Sequence, residues 1–499
     1  MRKNILLFFW FLLFSQNIFS ANWTILSYIQ ADNNLYDYVL QDISEMSVVG
    51  SNENVNILAQ IDTPENNGTW RYKVEKGKVE LEAHLQNEMG VNPGQELQDA
   101  ASWAFKTYPA ENNMIVLSSH GYGIIDPQMR KMMRSVLFDD TQNSYLGNQQ
   151  LATAMGGIKT ILGKNLDILG MDACLMAMFE IGYQVKDSVN YLVASEESEA
   201  AQGWYYSGFL PSVASGYCSP ITLASSIVSS YGDFYKNRNN YYTQSAVDLA
   251  KMELLKDNIN KVVTALNDCN ILQRTKVVDI VKQARSKSLQ FSVSDYIDLH
   301  SFYSQLFKQV DELNKQDSLP SNPRPSHGRP RPPRGELQDD EEFEEELEED
   351  FDEELRRPSP RPRPTSPRPQ PGSSNPLPTI ASPRPSVNSS PRPNYSRPTS
   401  SRPRPSSIIQ QVSAKPSQTP QVQEKPKTEL DKKIDILKEA LSDGMKLIEN
   451  VVVANVAGSQ AGAAKGLSIY FPKKSIHSSY AKTKFAQDSL WLDFLVENV

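Results

Sequence analysis

Two apolar runs constrain this 499-residue chain more than any other feature. Met114-Ile-Val-Leu-Ser-Ser-His120-Gly121 and Leu166-Asp-Ile-Leu-Gly-Met-Asp172-Ala-Cys174 are short, apolar and closed by turn residues. That is the pattern of strands buried on both faces of a largely parallel sheet. In open α/β sheets the chemistry sits just beyond the carboxyl ends of the strands. His120 and Cys174 both fall there.

The pair has a chemical logic. A thiol is barely ionised at neutral pH, and the thiolate is the nucleophile. An imidazole beside it can take the thiol proton and can later protonate a leaving amine. Gly121 lets a substrate approach the backbone closely, and its N–H would serve as an oxyanion donor. The gap of 54 residues between His120 and Cys174 is close to the histidine-to-cysteine spacing of caspases. Taken alone, these two runs leave a second reading open, a core cysteine and a hydrogen-bonded structural histidine.

A resemblance separates the two. SSHGYG at 118–123, followed by DILGMDACLMAMFEIGYQV at 167–185, resembles the clostripain-type cysteine peptidases, in the clan that also holds caspases, legumains and gingipains. The likeness begins with WTILSYIQADNNLYDYVLQDISEMSVVGSNENVNILAQID at 23–62. It continues in order through FDDTQNSYLGNQQLATAM, YLVASEESEAAQGWYYSGFL, SAVDLAKM, YIDL and KGLSIYFP. It implies a caspase-like α/β/α sandwich with a mostly parallel sheet, and a cysteine endopeptidase acting on polypeptides. Cys174 would attack the peptide carbonyl, His120 would assist proton transfer, and the N–H groups of Gly121 and Cys174 would hold the oxyanion. Asp172 matches the acid that relatives place at the floor of the pocket for the residue before the cleaved bond. It would select arginine or lysine there through a charge-assisted pair. Gln202 stands where an acid is expected in some relatives, and Glu196, Glu197 and Glu199 lie nearby without a legible position.

Two further implications concern the stretch between the runs. Relatives are often zymogens cut after a basic residue there, which makes Arg130, Lys131 and Arg134 processing candidates; a solvated basic loop is the alternative. Calcium dependence is known in some relatives, and Asp139-Asp140-Thr141 offers oxygen ligands. No EF-hand spacing accompanies it, so calcium enters only as an open possibility beside no cofactor and no metal.

The rest of the catalytic part reads as alternating elements. Strand Trp23–Gln30, helix Leu35–Val49 and strand Val55–Ile61 form a β–α–β opening. Asp32-Asn33-Asn34 suits a helix cap, with a metal role for Asp32 as the weaker alternative. Residues 69–85 alternate like a surface hairpin turning at Lys76-Gly77. Helices are expected at Leu97–Tyr108 and Leu146–Ile161, with a buried strand at Tyr191–Ser195. Residues 221–317 would supply the remaining sheet edge and packing helices. A helix directly after Cys174 would set its thiol near a helix N-terminus, where the dipole favours a thiolate.

Compartment follows from the start of the chain. Arg2 and Lys3 precede ten apolar residues, Ile5–Phe14, then polar and small ones. This is a signal peptide pattern, too short for a spanning helix. Residues 1–21 are assigned to it, with export to the cell envelope, periplasm or exterior; an uncleaved anchor stays open. The expected partners are polypeptides, with no nucleic acid and no stable membrane insertion once the signal is cleaved. The three cysteines, Cys174, Cys218 and Cys269, are too few for a disulfide scaffold. Cys218 and Cys269 either pair or remain buried thiols.

A long insert divides the fold. Residues 320–426 hold 25 of the 32 prolines, a composition that cannot bury a core. Residues 22–318 are therefore the main catalytic part, 319–428 a disordered insert, and 429–499 a C-terminal helix and strands that complete the same unit. The run 336–355 carries 14 acids and no base, so the formal net charge of −8 misrepresents the remainder, which is net positive. Fourteen arginines lie in 321–405, and twelve are followed directly by proline. Arginine-specific peptidases cleave such bonds poorly, since proline is sterically constrained. Arg334 and Arg356 escape the pattern and bracket the acidic run, so an arginine-specific enzyme would spare its insert yet could excise 335–356. Repetitive low complexity is the alternative. Two rivals to the peptidase remain at this level: a catalytically idle relative that binds partners through the insert, and a dyad enzyme of other specificity.

Overall fold

Parallel strands need crossover connections, and in this chain helices supply them. The computed structural model describes residues 21–64, 67–126, 136–314 and 427–499, all within one compact unit. Strand β1 (Ala21–Gln30) leads through helix α1 (Tyr36–Val49) to β2 (Val55–Asp62). β1 and β2 pair in parallel from Trp23↔Val55 to Gln30↔Asp62. A hairpin follows, β3 (Thr69–Glu75) and β4 (Lys78–Leu85), its turn resting on Gly77 at φ +75°. Then come α2 (Pro93–Thr107), β5 (Ala110–Ser118), α3 (Asn148–Leu162), β6 (Leu166–Asp172), α4 (Phe179–Val185) and β7 (Val189–Ala194). Proline opens α2, where its missing N–H costs nothing.

The nine-stranded sheet runs β10 (Val452–Ala457), β8 (Thr243–Asp248), then β7-β6-β5-β1-β2-β3-β4. Its parallel centre is β7-β6-β5-β1-β2, and the flanking pairs β7/β8 and β2/β3 are antiparallel. The order reverses at β1, because β2 lies on one side and β5 on the other. Such a reversal opens a crevice at the carboxyl ends of the two strands. Both apolar runs are buried strands: Met114–Leu117 of β5 and all of β6 are inaccessible or nearly so. Each fully buried large apolar side chain contributes roughly 1.5–3 kcal/mol.

Helices cover both faces, giving the α/β/α layering of a caspase-like sandwich. α1 packs on α5 (Tyr206–Ala214), which packs on α6 (Pro220–Tyr235); α2, α3 and α4 form the other contiguous set. Ser219 caps α6 by accepting from Thr222 N–H at 3.3 Å. After β8 (Thr243–Asp248) comes α7 (Met252–Lys287), kinked where Gln273 leaves helical geometry, then β9 (Tyr296–Asp298) and α8 (Leu299–Gln309).

Beyond residue 426 the chain re-enters through a capping box, Thr428 and Asp431, that opens the helix Glu429–Val451. This helix packs on α7 and α8. Strand β10 (Val452–Ala457) then pairs with β8 as the sheet's outer edge, and β11 (Ser468–Tyr470) pairs with β9 in a separate two-stranded sheet. The short helices Lys484–Asp488 and Trp491–Asn498 close the chain.

Two expectations change, one is extended and one open choice is settled. The 69–85 hairpin lies at the surface with its outer strand β4 largely exposed, and β3 also extends the main sheet through β2. The edge beyond β8 comes from β10, on the far side of the insert, while the strand-like segment near Tyr296 leaves the main sheet altogether. Cys218 and Cys269 are not paired and remain thiols. The Asp32–Asn34 stretch is no helix cap, because α1 starts after Leu35 without a side-chain cap. The signal segment, Arg130, Lys131, Arg134, the insert with its acidic run, Arg334 and Arg356 lie outside the described residues.

The C-terminal segment is tied to α4 by a buried acid. Glu180 accepts from Tyr470 N–H at 3.0 Å and Tyr480 hydroxyl at 2.9 Å, and burial pushes its carboxyl up to about 7. A carboxyl raised on folding stabilises fully below its unfolded value, and that contribution fades as pH climbs through 7. The shift from 4.5 to about 7 corresponds to about 3 kcal/mol. Glu180→Gln is therefore expected to flatten the fall in unfolding free energy between pH 4.5 and 8 by that order. Denaturant titrations at both pH values measure it, and an unchanged slope refutes the assignment.

Candidate active site

The site begins with register. β5 and β6 pair with Ser118 opposite Asp172, and Ser119 N–H donates to Asp172 C=O at 3.3 Å. His120 and Cys174 each lie two residues beyond that matched pair, so adjoining strands carry them to the same level. Gly121 shows how tightly the tips meet. A Cβ there would fall 2.4 Å from the Cys174 carbonyl oxygen and 3.0 Å from Cys174 N. Only glycine allows this approach.

Cys174 occupies a turn rather than a helix end. Leu175, fully buried, holds φ +64°, and its N–H donates to Glu197 C=O at 3.1 Å. A left-handed, non-glycine residue persists only when its surroundings over-determine it. α4 starts at Phe179, so the expected helix N-terminus does not reach the sulfur. Instead the Cys174 Sγ accepts from Glu199 N–H at 3.2 Å and lies 3.8 Å from Glu199 C=O. Burial, aided by the charges of Glu199 and Glu197, pushes the thiol up to about 12, against the opposing pull of the Glu199 N–H. This direction is the reverse of what a helix dipole would give.

His120 is half-buried, and its Nε2 stands 2.7 Å from the side-chain oxygen of Asn34. The remaining residues of this β1-end turn lock it in place. Asn33 Nδ2 donates to Gln30 C=O, Ser119 Oγ and Phe138 C=O at 3.0, 3.2 and 3.0 Å, and its Oδ1 accepts from Leu35 N–H at 2.9 Å. Asp32 accepts from Thr141 N–H at 3.2 Å.

Beneath the strand tips lies a nest of buried acids. Asp172 accepts from Tyr206 hydroxyl at 2.9 Å and Trp204 N–H at 3.2 Å. Gly203, at φ +59°, passes so close that a Cβ would meet Asp172 Oδ1 at 2.8 Å. The neighbouring acid is Glu199, whose Oε1 accepts from Gln244 Nε2 at 3.1 Å. Burial raises the Asp172 carboxyl, opposed by a hydrogen bond from Glu199. Burial, with the charge of Asp172 next, drives Glu199 well above its ordinary range. The hydrogen bond between the two carboxyls acts in opposite senses, lowering Asp172 and raising Glu199. Asp42, nine-tenths buried or more, is raised by burial and then by Asp172 and Glu45. Such a cluster favours a cation placed among its carboxylates.

Glu199 is a residue that sequence reasoning could not place; the signal was the run of three glutamates after β7. Gln202 is exposed. Glu196 and Glu197 serve as ties: Glu196 accepts from Gly466 N–H at 2.7 Å, and Glu197 from Ser198 and Ser292 N–H at 2.7 and 3.1 Å. Asn34 was missed because it read as part of a cap.

At Asp139 the donors do not fit the calcium left open above. Asp139 takes Gln142 N–H at 2.6 Å and Gln30 Nε2 at 3.1 Å. N–H groups aimed at a carboxylate occupy the positions a cation would need. Among the described residues no group of three or more His, Cys, Asp or Glu is arranged to hold a metal ion. His84 stacks on Trp70 at 3.7 Å, and His300 faces Glu449 at 3.6 Å; both are structural.

With this geometry in view, comparisons place the chain. The description "Clostripain family", peptidase family C11, matches residues 27–495. Clostripain of Hathewaya histolytica is 25% identical over 223 residues, 39% of this chain and 42% of that protein. The match thus spans less than half the length of the curated relative. A secreted C11 cysteine protease of Bacteroides thetaiotaomicron, solved with an irreversible peptide inhibitor, is 20% identical with a TM-score of 0.45, covering 59% of this chain and 82% of that one. An inactive zymogen C11 protease of Parabacteroides distasonis is 17% identical with a TM-score of 0.43, covering 58% and 82%. The chain belongs to the clostripain family of cysteine peptidases.

Proposed function

We propose that this chain is an exported cysteine endopeptidase that cleaves polypeptides after arginine, and after lysine less readily. The observation that carries the reading is the meeting of the β5 and β6 tips, with Gly121 against the Cys174 backbone and buried acids below. Cys174 Sγ attacks the scissile carbonyl carbon as His120 takes the thiol proton. The C–N bond breaks, the amine leaves with a proton returned by His120, and a thioester remains. Water then attacks the thioester, again with His120 taking a proton, and the carboxylic acid departs as the thiol reforms. The N–H groups of Gly121 and Cys174 are suited to the oxyanion. Among the described residues neither is taken by an acceptor.

Asp172 and Glu199 supply specificity. A guanidinium would meet both carboxylates, which suits a planar fork better than an ammonium. A thiol held neutral by burial cannot act as a preformed thiolate, so the mechanism leans on His120 as base. The same shielding fits a chain awaiting cleavage after Arg130, Lys131 or Arg134, with excision of 335–356 after Arg334 and Arg356 as a second event.

Fluorogenic peptides with arginine, lysine, glutamine or leucine before the bond test this reading, alongside mass spectrometry of the mature chain. Arginyl peptides are expected to be cleaved about 10-fold faster than lysyl and at least 100-fold faster than neutral ones. Cleavage only after neutral residues would replace the specificity. A processed chain that cleaves nothing would favour the idle, partner-binding alternative, and an intact 335–356 segment in active enzyme removes the excision step.

A further inference from the structure

We infer that Asn34 is a positioning residue for His120, setting which ring nitrogen carries the proton; this rests on the peptidase reading above. The placement begins with β1, whose Ile29 pairs with Ser118 of β5, so the turn leaving β1 runs beside the turn leaving β5. Asn33 is consumed in four hydrogen bonds that fix this turn to Ser119 and Phe138. The next residue, Asn34, is exposed and puts its Oδ1 2.7 Å from His120 Nε2.

An exposed side-chain pair adds little to stability. Its consequence is orientation. An amide oxygen accepts and never donates, so it holds the hydrogen of the neutral ring on Nε2. The lone pair then belongs to Nδ1, the nitrogen left to take the Cys174 proton and return it to the leaving amine. When the ring becomes imidazolium, Asn34 still accepts from Nε2–H, so the bond survives both half-reactions without rearrangement. The thiol needs a base in the correct tautomer because its own ionisation is suppressed by burial.

The test is carried out on the full chain with Asn34→Leu and Asn34→Asp. Asn34→Leu is expected to lower kcat on an arginyl peptide about 10- to 100-fold, with KM within about twofold and the melting temperature unchanged. Asn34→Asp keeps an acceptor oxygen and is expected to retain most of kcat. A readout independent of turnover comes from 15N-histidine NMR in the Cys174→Ala background. The five histidines are assigned by substitution, and His120 is expected as the Nε2–H tautomer, mixed or reversed in Asn34→Leu. Wild-type kcat in Asn34→Leu overturns the inference, and so does an unchanged His120 tautomer. Should the wild-type chain cleave no peptide, the endopeptidase reading falls, while the tautomer measurement still decides whether Asn34 sets the ring.

Discussion

Cys174→Ala is expected to reduce cleavage of arginyl peptides by about 10⁴-fold or more, the scale for loss of a covalent nucleophile. The fold should survive, because the Cys174 thiol contributes one hydrogen bond to Glu199 and fills little volume. His120→Ala is expected to cost nearly as much at neutral pH, for a reason specific to this site. With the thiol pushed up to about 12, only about 10⁻⁵ of it is thiolate at pH 7. A chain without the imidazole must wait for that fraction. Its residual rate should therefore climb steeply between pH 7 and 9, whereas the wild type changes far less. Stopped assays across this range with both variants decide the matter. Appreciable turnover by Cys174→Ala sinks the nucleophile assignment, and a flat profile for His120→Ala sinks the role of base.

Asp172→Asn carries the second large effect, and it acts in opposite directions on activity and stability. Removing one member of a buried charge pair costs about 3–5 kcal/mol, so kcat/KM for arginyl substrates is expected to fall about 10²- to 10⁴-fold. Neutral substrates should change less than about threefold, since they never used the carboxylate. Asparagine can still accept from Tyr206 hydroxyl and Trp204 N–H. The stability sign follows from the raised Asp172 carboxyl. Such a group stabilises the fold fully below its unfolded value and loses that contribution as pH rises through its folded value. The variant is thus expected to melt higher than wild type at pH 8 and to differ little at pH 4. Melting curves at the two pH values, with kcat/KM for arginyl and neutral peptides, test both halves. Equal losses on both substrate types would place Asp172 in general folding rather than selectivity.

The chain made its central strands legible because β5 and β6 are nearly pure apolar runs between turn residues. His120 and Cys174 became candidates through the rule that strand ends carry chemistry, and both do lie just past the ends of β5 and β6. Other features were hidden for identifiable reasons. Asn34 sits in a triplet whose composition is that of a helix cap, and only the neighbouring β5 turn reveals its other use. Glu199 is one of three similar glutamates, distinguished by which of them faces Asp172 and which face Gly466 and Ser292. The thiol's environment was misjudged because a helical pattern after Cys174 gives no warning of the four residues between the cysteine and Phe179. β10 and β11 lie on the far side of more than a hundred residues, and local pattern cannot say which strand they join.

What the amino-acid order determined alone was periodicity, the alternation of buried strands and amphipathic helices that demands a parallel sheet with crossovers. It also carried the family likeness, because that lies in short contiguous motifs. Tertiary structure decided everything that depends on which side chains meet. It joined the tips of β5 and β6, laid Glu199 across the sulfur, grouped acids from α1, β6 and the segment after β7, and turned Asn34 toward His120. Those contacts link residues tens to hundreds of positions apart, and their charges and hydrogen bonds take their strength from burial, which exists only once the sheet has closed over them.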